Sequence, residues 1–466
     1  MAPMAKREFN QRLAGTIFAG ILGLSAHAHA APWSGRLNGN SAYIYDVSQP
    51  VRVAIINNMS TPLPDDDREM VTLARHTNAM LIDVNLDWRT PDESAQRVLD
   101  ALKAGSKTFP DHPEIQNLNV VLMGFSAGAA GAAVAASSPL LSNPDPTQAP
   151  QRVLAVATFD ELDFDPYLPP PWVPHLFLSD PGDFYGGLLS NVEDLTPPMS
   201  HDAFARSLAA QGRPITVVSQ PGDWHGGSNY GWQHRISARF MRIWMDDILN
   251  RALPATPPMT APVLAPDWRT NAGAWRAAYD VVRNTNTSPW GADEHMVNVV
   301  IAPKSTYQDP RPYIWLPSQK TANIWNGYAT TGTLPAEGAT APFQSLIPFI
   351  RPNADATSRS GIDSPVTTAN GTTPAVPGYT SNCGFSASGD ANLIINFDRA
   401  VVSADAVATG GFLAGAPRAW SNVLIVPLKR SVFSPSIAIQ LTNIKPADGG
   451  APLDIAVTAK YAAPCP

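Results

Sequence analysis

Asn119-Val-Val-Leu-Met-Gly-Phe-Ser-Ala-Gly-Ala-Ala-Gly-Ala-Ala-Val-Ala-Ala-Ser137 is the stretch on which the fold turns. Its first five residues form an apolar run short enough for a strand buried on both faces. Ala129 to Ser137 is small and helix-favouring. Between them lies Gly124-Phe-Ser126-Ala-Gly128, where the chain must pass from strand to helix in one tight turn. Flanking glycines keep Cβ atoms out of that crowded corner, and the serine is left exposed at the top of it. The helix that follows aims its first backbone N–H groups at the same region.

Working outward, the flanking sequence repeats the strand-then-helix alternation. Strands are predicted at Val51 to Asn57, Ala79 to Val84, Val153 to Thr158, His175 to Leu178 and Ile215 to Ser219. Thr90-Pro-Asp-Glu93 opens a helix with an N-cap Thr, Pro at the first helical position and Glu at the third. That helix carries Ala95, Val98, Leu99 and Leu102 on one face and is expected to stop near Gly105. A last helix, about Gln233 to Arg251, places Ile236, Phe240, Ile243 and Trp244 at helical spacing. Near-continuous apolar strands alternating with amphipathic helices predict an α/β fold, a doubly wound and mainly parallel sheet covered on both faces.

Two further loops carry chemistry. Ser179-Asp-Pro-Gly-Asp183 follows one strand, and Gln220-Pro-Gly-Asp-Trp-His225-Gly-Gly227 follows the next. Both leave the carboxyl ends of their strands, where an open parallel sheet gathers its functional groups. With the serine turn and the order Ser126, acid, His225, residues 51 to 253 resemble an α/β-hydrolase of the secreted esterase or lipase type. The resemblance covers under half the chain.

It implies a nucleophile at Ser126 and a base at His225. The orienting acid is Asp183, with Asp180 as the alternative nearer the strand end. It implies an oxyanion hole made by the Ala127 N–H and one from the Asn57-Asn-Met-Ser60 segment, Asn58 or Met59. The sequence departs from the family here, lacking the His-Gly run several esterases carry. Trp172 and Trp224, with Phe184 and Tyr185 nearby, are the expected pocket residues. Tyr167 to Trp172 and Phe184 to Pro198 read as insertions over the strand ends, forming a lid or pocket wall. Among the other histidines, His76, His112, His201 and His234 fall on helices or their entrances and His175 begins a strand; packed or solvated roles are expected for them.

Composition sets the class. Only 15% of the 466 residues are charged while 46 are proline, and a net charge of −7 argues against nucleic acid as a partner. Lys6, Arg7 and Arg12 precede an apolar run from Leu13 to Ala26 and an Ala-x-Ala site, so residues 1–30 read as a signal peptide cut after Ala30. Lys6-Arg7-x-Phe9 hints at a twin-arginine-type signal. No other segment reaches membrane-spanning length, and a secreted or periplasmic chain is expected.

Residues 31–253 form the expected catalytic domain, and 254–266, with its cluster of prolines, a stiff linker. A mixed Trp- and Pro-rich region at 267–380 includes a predicted helix from Ala272 to Val282. Alternating strands from 381 to 466 suggest a small β-sandwich, stapled by a disulfide between Cys383 and Cys465. No ligand spacing for a metal and no Gly-x-Gly-x-x-Gly after a strand occurs, so no cofactor and no metal is expected.

The activity implied by the resemblance is ester hydrolysis through an acyl-enzyme, on a small-molecule or polymeric ester. Peptide, thioester or β-diketone cleavage on the same triad remains open, as does a surface-binding protein with a degenerate hydrolase domain. Oligomeric state is not encoded in any of these features.

Overall fold

The computed structural model describes residues 32–460 apart from 59–67, 87–88, 144, 146, 160–166, 180–186, 190, 192–197, 220–235, 257–259, 284–293, 332–333, 335–348, 353–363, 369–377, 382–389, 398–400, 421–422, 431–435 and 448. The signal segment and both cysteines therefore lie outside the described residues. No helix among the described residues is long and apolar enough to cross a membrane.

The chain opens with a hairpin, β1 (Trp33–Leu37) and β2 (Asn40–Ile44). Asn38 and Gly39 turn it with φ of 50° and 87°, the pair of positive values that suits the twist of a two-residue loop. Then follow β3 (Val53–Asn58), α1 (Arg68–Thr77), β4 (Ala79–Asp83) and α2 (Pro91–Thr108). Next come β5 (Val120–Phe125), α3 (Ala127–Ser137), β6 (Val153–Phe159) and β7 (His175–Ser179). The unit closes with α4 (His201–Ala210), β8 (Ile215–Ser219) and α5 (Ile236–Ala252).

These eight strands form one sheet in the order β1-β2-β4-β3-β5-β6-β7-β8. Every pair from β4 through β8 is parallel, and the hairpin adds two antiparallel strands at one edge. The strands are buried along nearly their whole length because helices cover both faces. Apolar side chains of α2 and α3 pack on one face, and those of α1, α4 and α5 pack on the other. The capping box expected at Thr90 forms, with Glu93 reaching back to the Thr90 N–H at 3.1 Å.

The Pro-rich segment after α5 is fastened to the sheet. Asn119 donates to the Val263 carbonyl at 2.9 Å and accepts from the Val263 N–H at 3.0 Å, while Arg52 donates to the Pro254 carbonyl. Beyond it lie β9 (Trp275–Arg283), β10 (Glu294–Pro303), β11 (Ile314–Leu316) and α6 (Gln319–Thr331).

The helix expected over Ala272 to Val282 is thus a strand. Ala277 and Tyr279 alternate inward, and β9 gains partners on both sides, so tertiary pairing overrides the helical preference of Arg276-Ala-Ala. This unit shares one hydrophobic cluster with β7, β8, α4 and α5. It also covers the outer edge of β8: Thr216 Oγ1 donates to the Trp315 carbonyl, and Trp325 Nε1 donates to the Val217 carbonyl, both at 2.7 Å.

The rest is β-structure: β12 (Phe349–Pro352), β13 (Ser364–Thr368), β14 (Gly378–Ser381), β15 (Asp390–Asn396), β16 (Val401–Thr409), β17 (Gly411–Leu413), β18 (Arg418–Trp420), β19 (Val423–Arg430), β20 (Ser436–Pro446) and β21 (Leu453–Lys460). All pairings are antiparallel except β14 with β21. Leu393, Leu424 and Val426 meet Ile437, Ile439 and Val457 in a separate core. Strands β12 to β14 join this β unit, although they precede the boundary expected at 381.

Candidate active site

Ser126 sits between the end of β5 and the first turn of α3 with φ 52° and ψ −127°, a conformation L-residues avoid. Its N–H donates to the Phe159 carbonyl at 3.1 Å, and its carbonyl accepts from Ala129 and Ala130. The surrounding contacts therefore hold the strained backbone in place. The side chain is partly exposed at the carboxyl edge of the sheet.

The glycines on either side are forced. A Cβ on Gly124 would lie 2.0 Å from the Gly128 carbonyl oxygen, and one on Gly128 would lie 1.9 Å from the Asn58 carbonyl oxygen. Gly131, one turn on, faces the Asn58 side chain and the Leu86 carbonyl, each at 2.7 Å from a hypothetical Cβ. Helix α3 can approach β3 this closely only because its facing residues have no side chain.

Asn58, expected to help form an oxyanion hole, is buried at the carboxyl end of β3. Its side chain donates to the Gly128 carbonyl at 3.1 Å and accepts from the Leu86 N–H at 3.2 Å. It ties together three segments around the serine, a role that the sequence reading missed. Ala127 and Gly128 open α3, where helix geometry gives their N–H groups no intrahelical acceptor. Anionic oxygen beside Ser126 would meet those amides and the positive end of the helix dipole.

Asp180, Asp183, Trp224, His225 and Met59 lie outside the described residues. The strands that lead to them are described. Across the sheet, Phe125 pairs with Phe159, Phe159 with Leu178, and Leu178 with Val218. Ser179 and Ser219, the last residues of β7 and β8, therefore stand on the same row as Ser126.

Trp172 needs correcting as a pocket residue. It precedes β7, so it lies at the opposite edge of the sheet from Ser126. It is 2% exposed within the cluster under α2 and α3, and its Nε1 donates to Gln151 Oε1. Described residues 167–174 lead into the same end of β7, and Arg213, just before β8, donates to the Pro169 carbonyl at 2.7 Å. They form a floor at the amino edge, not a lid over the serine. A Pro-rich run between two strands of a parallel sheet must cross from one edge to the other, and the run alone does not mark which edge it lines.

The other described histidines are packed. His112 bridges Glu114 and the Val47 carbonyl, and His201 stacks on Phe177 with centroids 5.4 Å apart. His175 is buried, with Nε2 2.9 Å from Thr158 Oγ1. Burial first, and the nearby Arg213 charge second, push its pKa down to about 3. The unfolded chain binds a proton at His175 below about pH 6.5 and the folded chain does not. Stability linked to this residue is therefore complete above that pH and lost as pH falls toward 3.

Urea midpoints at pH 7.5 and 4.5 test this. Wild type should lose about 2–3 kcal/mol more on acidification than His175→Gln. Equal losses would contradict it.

No group of three or more His, Cys, Asp or Glu residues that could hold a metal occurs among the described residues.

No model of a known protein family and no curated protein matches this sequence. Solved structures do resemble it. An acylaminoacyl peptidase from Pyrococcus horikoshii is 13% identical over 52% of this chain, with a TM-score of 0.33. The match spans 44% of that peptidase, less than half its length. A thermostable esterase from Pseudomonas putida ECU1011 is 13% identical over 51% of this chain and 87% of its own, with a TM-score of 0.29. A carboxylesterase from Lactobacillus plantarum WCFS1 is 11% identical over 47% of this chain and 94% of its own, with a TM-score of 0.31. The sheet order, the parallel run through β8 and the serine held between two forced glycines give residues 33–252 the α/β-hydrolase fold.

Proposed function

We propose that this chain is an exported serine hydrolase that cleaves carboxylic esters through an acyl-enzyme. The observation that carries the reading is the Ser126 turn: a strained, partly exposed serine at a helix N-terminus, with neither neighbouring glycine able to accept a Cβ. A packing turn would not need positive φ at a serine, since glycine adopts it without strain.

In this reading Ser126 Oγ attacks the ester carbonyl carbon while His225 takes its proton. The carbonyl oxygen becomes an oxyanion held by the Ala127 N–H and a second donor from the Asn58–Met59 segment. His225 returns the proton to the leaving alcohol, and water then repeats the sequence to release the acid. Asp183 holds the imidazole in the required tautomer.

Chain length allows the arrangement. From Ser219 to His225 is six residues, a reach of up to about 20 Å, against about 14 Å for the three strand spacings between β8 and β5. Asp183 lies four residues beyond Ser179, on the strand between. No metal or organic cofactor enters these steps. The C-terminal β unit is proposed as a separate module that engages polymeric substrate.

Labelling with a fluorophosphonate tests the serine. Wild type is expected to react covalently and Ser126→Ala to give no adduct. Equal labelling of both would place the nucleophile elsewhere. A panel of p-nitrophenyl esters, peptides and β-diketones then tests the bond type. Turnover confined to peptides or diketones would overturn the ester assignment while keeping the nucleophile.

A further inference from the structure

Two helices flank the site from opposite sides of the chain. Helix α1 begins at Arg68, directly after residues 59–67 that follow Asn58, and α5 begins at Ile236, directly after residues 220–235 that contain His225. They pack against each other on one face of the sheet. Across their contact runs a chain of charges. Arg242 is 1% exposed, and its Nε donates to Glu69 Oε2 at 2.6 Å while Nη1 donates to Asp246 Oδ2 at 3.3 Å. The same Asp246 oxygen lies 2.9 Å from His76 Nδ1.

Stability alone does not account for this arrangement. The surrounding cluster is apolar, with Met70, Leu73, Met241 and Trp244 all buried. Apolar residues of similar volume would be expected to serve the packing as well as a buried guanidinium, whose desolvation offsets most of its attraction to a carboxylate. What an ion pair adds is direction. Glu69 stands in the first turn of α1, the end next to the Asn58 segment, and accepts only from a donor in one place. His76 lies seven residues further, about 10 Å along the helix. Two such contacts hold α1 against both sliding and rolling on α5.

We propose that Arg242 and Glu69 are positioning residues that keep the segment after Asn58 and the segment carrying His225 in register over Ser126. The proposal rests on the reading of Ser126 as nucleophile and His225 as base. A misplacement of about 1 Å between two such segments is enough to cost up to about 100-fold in rate.

The double variant Glu69→Leu with Arg242→Met tests it, because it replaces the pair with apolar groups and leaves no buried charge unpaired. Labelling by a fluorophosphonate yields the rate constant at saturation and the reagent's half-saturating concentration, and circular dichroism confirms folding. The expected result is a fall of about 10- to 100-fold in the saturating rate with half-saturation changed by less than about twofold. Should the double variant not fold, Glu69→Asp keeps the charge and shortens the reach by one methylene; the same fall in rate is expected. A wild-type rate in either folded variant would overturn the proposal alone. A wild type that is not labelled at all would overturn the serine reading and the proposal with it.

Discussion

Gly128→Ala is expected to cost about 3–5 kcal/mol of stability and to leave the remaining folded protein almost unreactive toward a fluorophosphonate. The added Cβ would lie 1.9 Å from the Asn58 carbonyl oxygen, which belongs to the backbone of β3 and cannot rotate away. Relief requires α3 to move off the strand by about 1 Å. That shift would break the Asn58 bond to the Gly128 carbonyl and displace the Ala127 amide from Ser126. Stability and reactivity should therefore fall together.

Gly39→Ala is the control. Gly39 has φ of 87° but nothing within 4 Å of its hypothetical Cβ, so only the backbone preference is lost, about 1 kcal/mol, and labelling should be unchanged. Urea denaturation and labelling rates measure both variants. A Gly128→Ala protein with wild-type stability and rate would mean that α3 is not seated on Asn58.

Much of this site was legible because it obeys local rules. The order strand, Gly-x-Ser-x-Gly, helix is written in consecutive residues, and the glycine requirement follows from the sharpness of the turn. The capping box at Thr90 is equally local. The hairpin at Asn38-Gly39 was legible too, since Asn-Gly between apolar runs is a two-residue turn signal; the strand count started one element too late.

The role of the Asn58 side chain was not legible. It depends on Gly128 and Leu86, 70 and 28 residues away, which only the assembled sheet brings together. Strand β9 was misread for a related reason, as Ala277 and Tyr279 alternate inward only once β10 and β11 pair on either side. The edge cover on β8 joins Thr216 to Trp315 and Val217 to Trp325, each about a hundred residues apart in sequence. Composition placed Trp172 near the chemistry, whereas its position before β7 places it at the far edge.

The acid can be separated from its rival by kinetics. Asp183→Asn is expected to lower kcat by about 10⁴-fold with KM little changed, and Asp180→Asn to leave kcat within about threefold of wild type. The reason is reach. Ser179 ends β7 level with Ser126 and two strand spacings away, about 10 Å. A carboxylate one residue further has almost no length with which to rise above the sheet and meet an imidazole lying between the strands. Four residues, turned by Pro181-Gly182, supply it.

An amide at the working position still holds the ring but presents a donor where the imidazole also donates, which favours the wrong tautomer. Substrate binding survives and proton transfer does not. His225→Ala should be as severe, and combining it with Asp183→Asn should add little, because residues acting as one unit are not additive. The pattern would reverse if Asp180 were the partner: Asp180→Asn would then show the 10⁴-fold loss and Asp183→Asn would turn over nearly as wild type. Additive losses in the double variant would show instead that His225 and the aspartate act separately, and the triad would not stand.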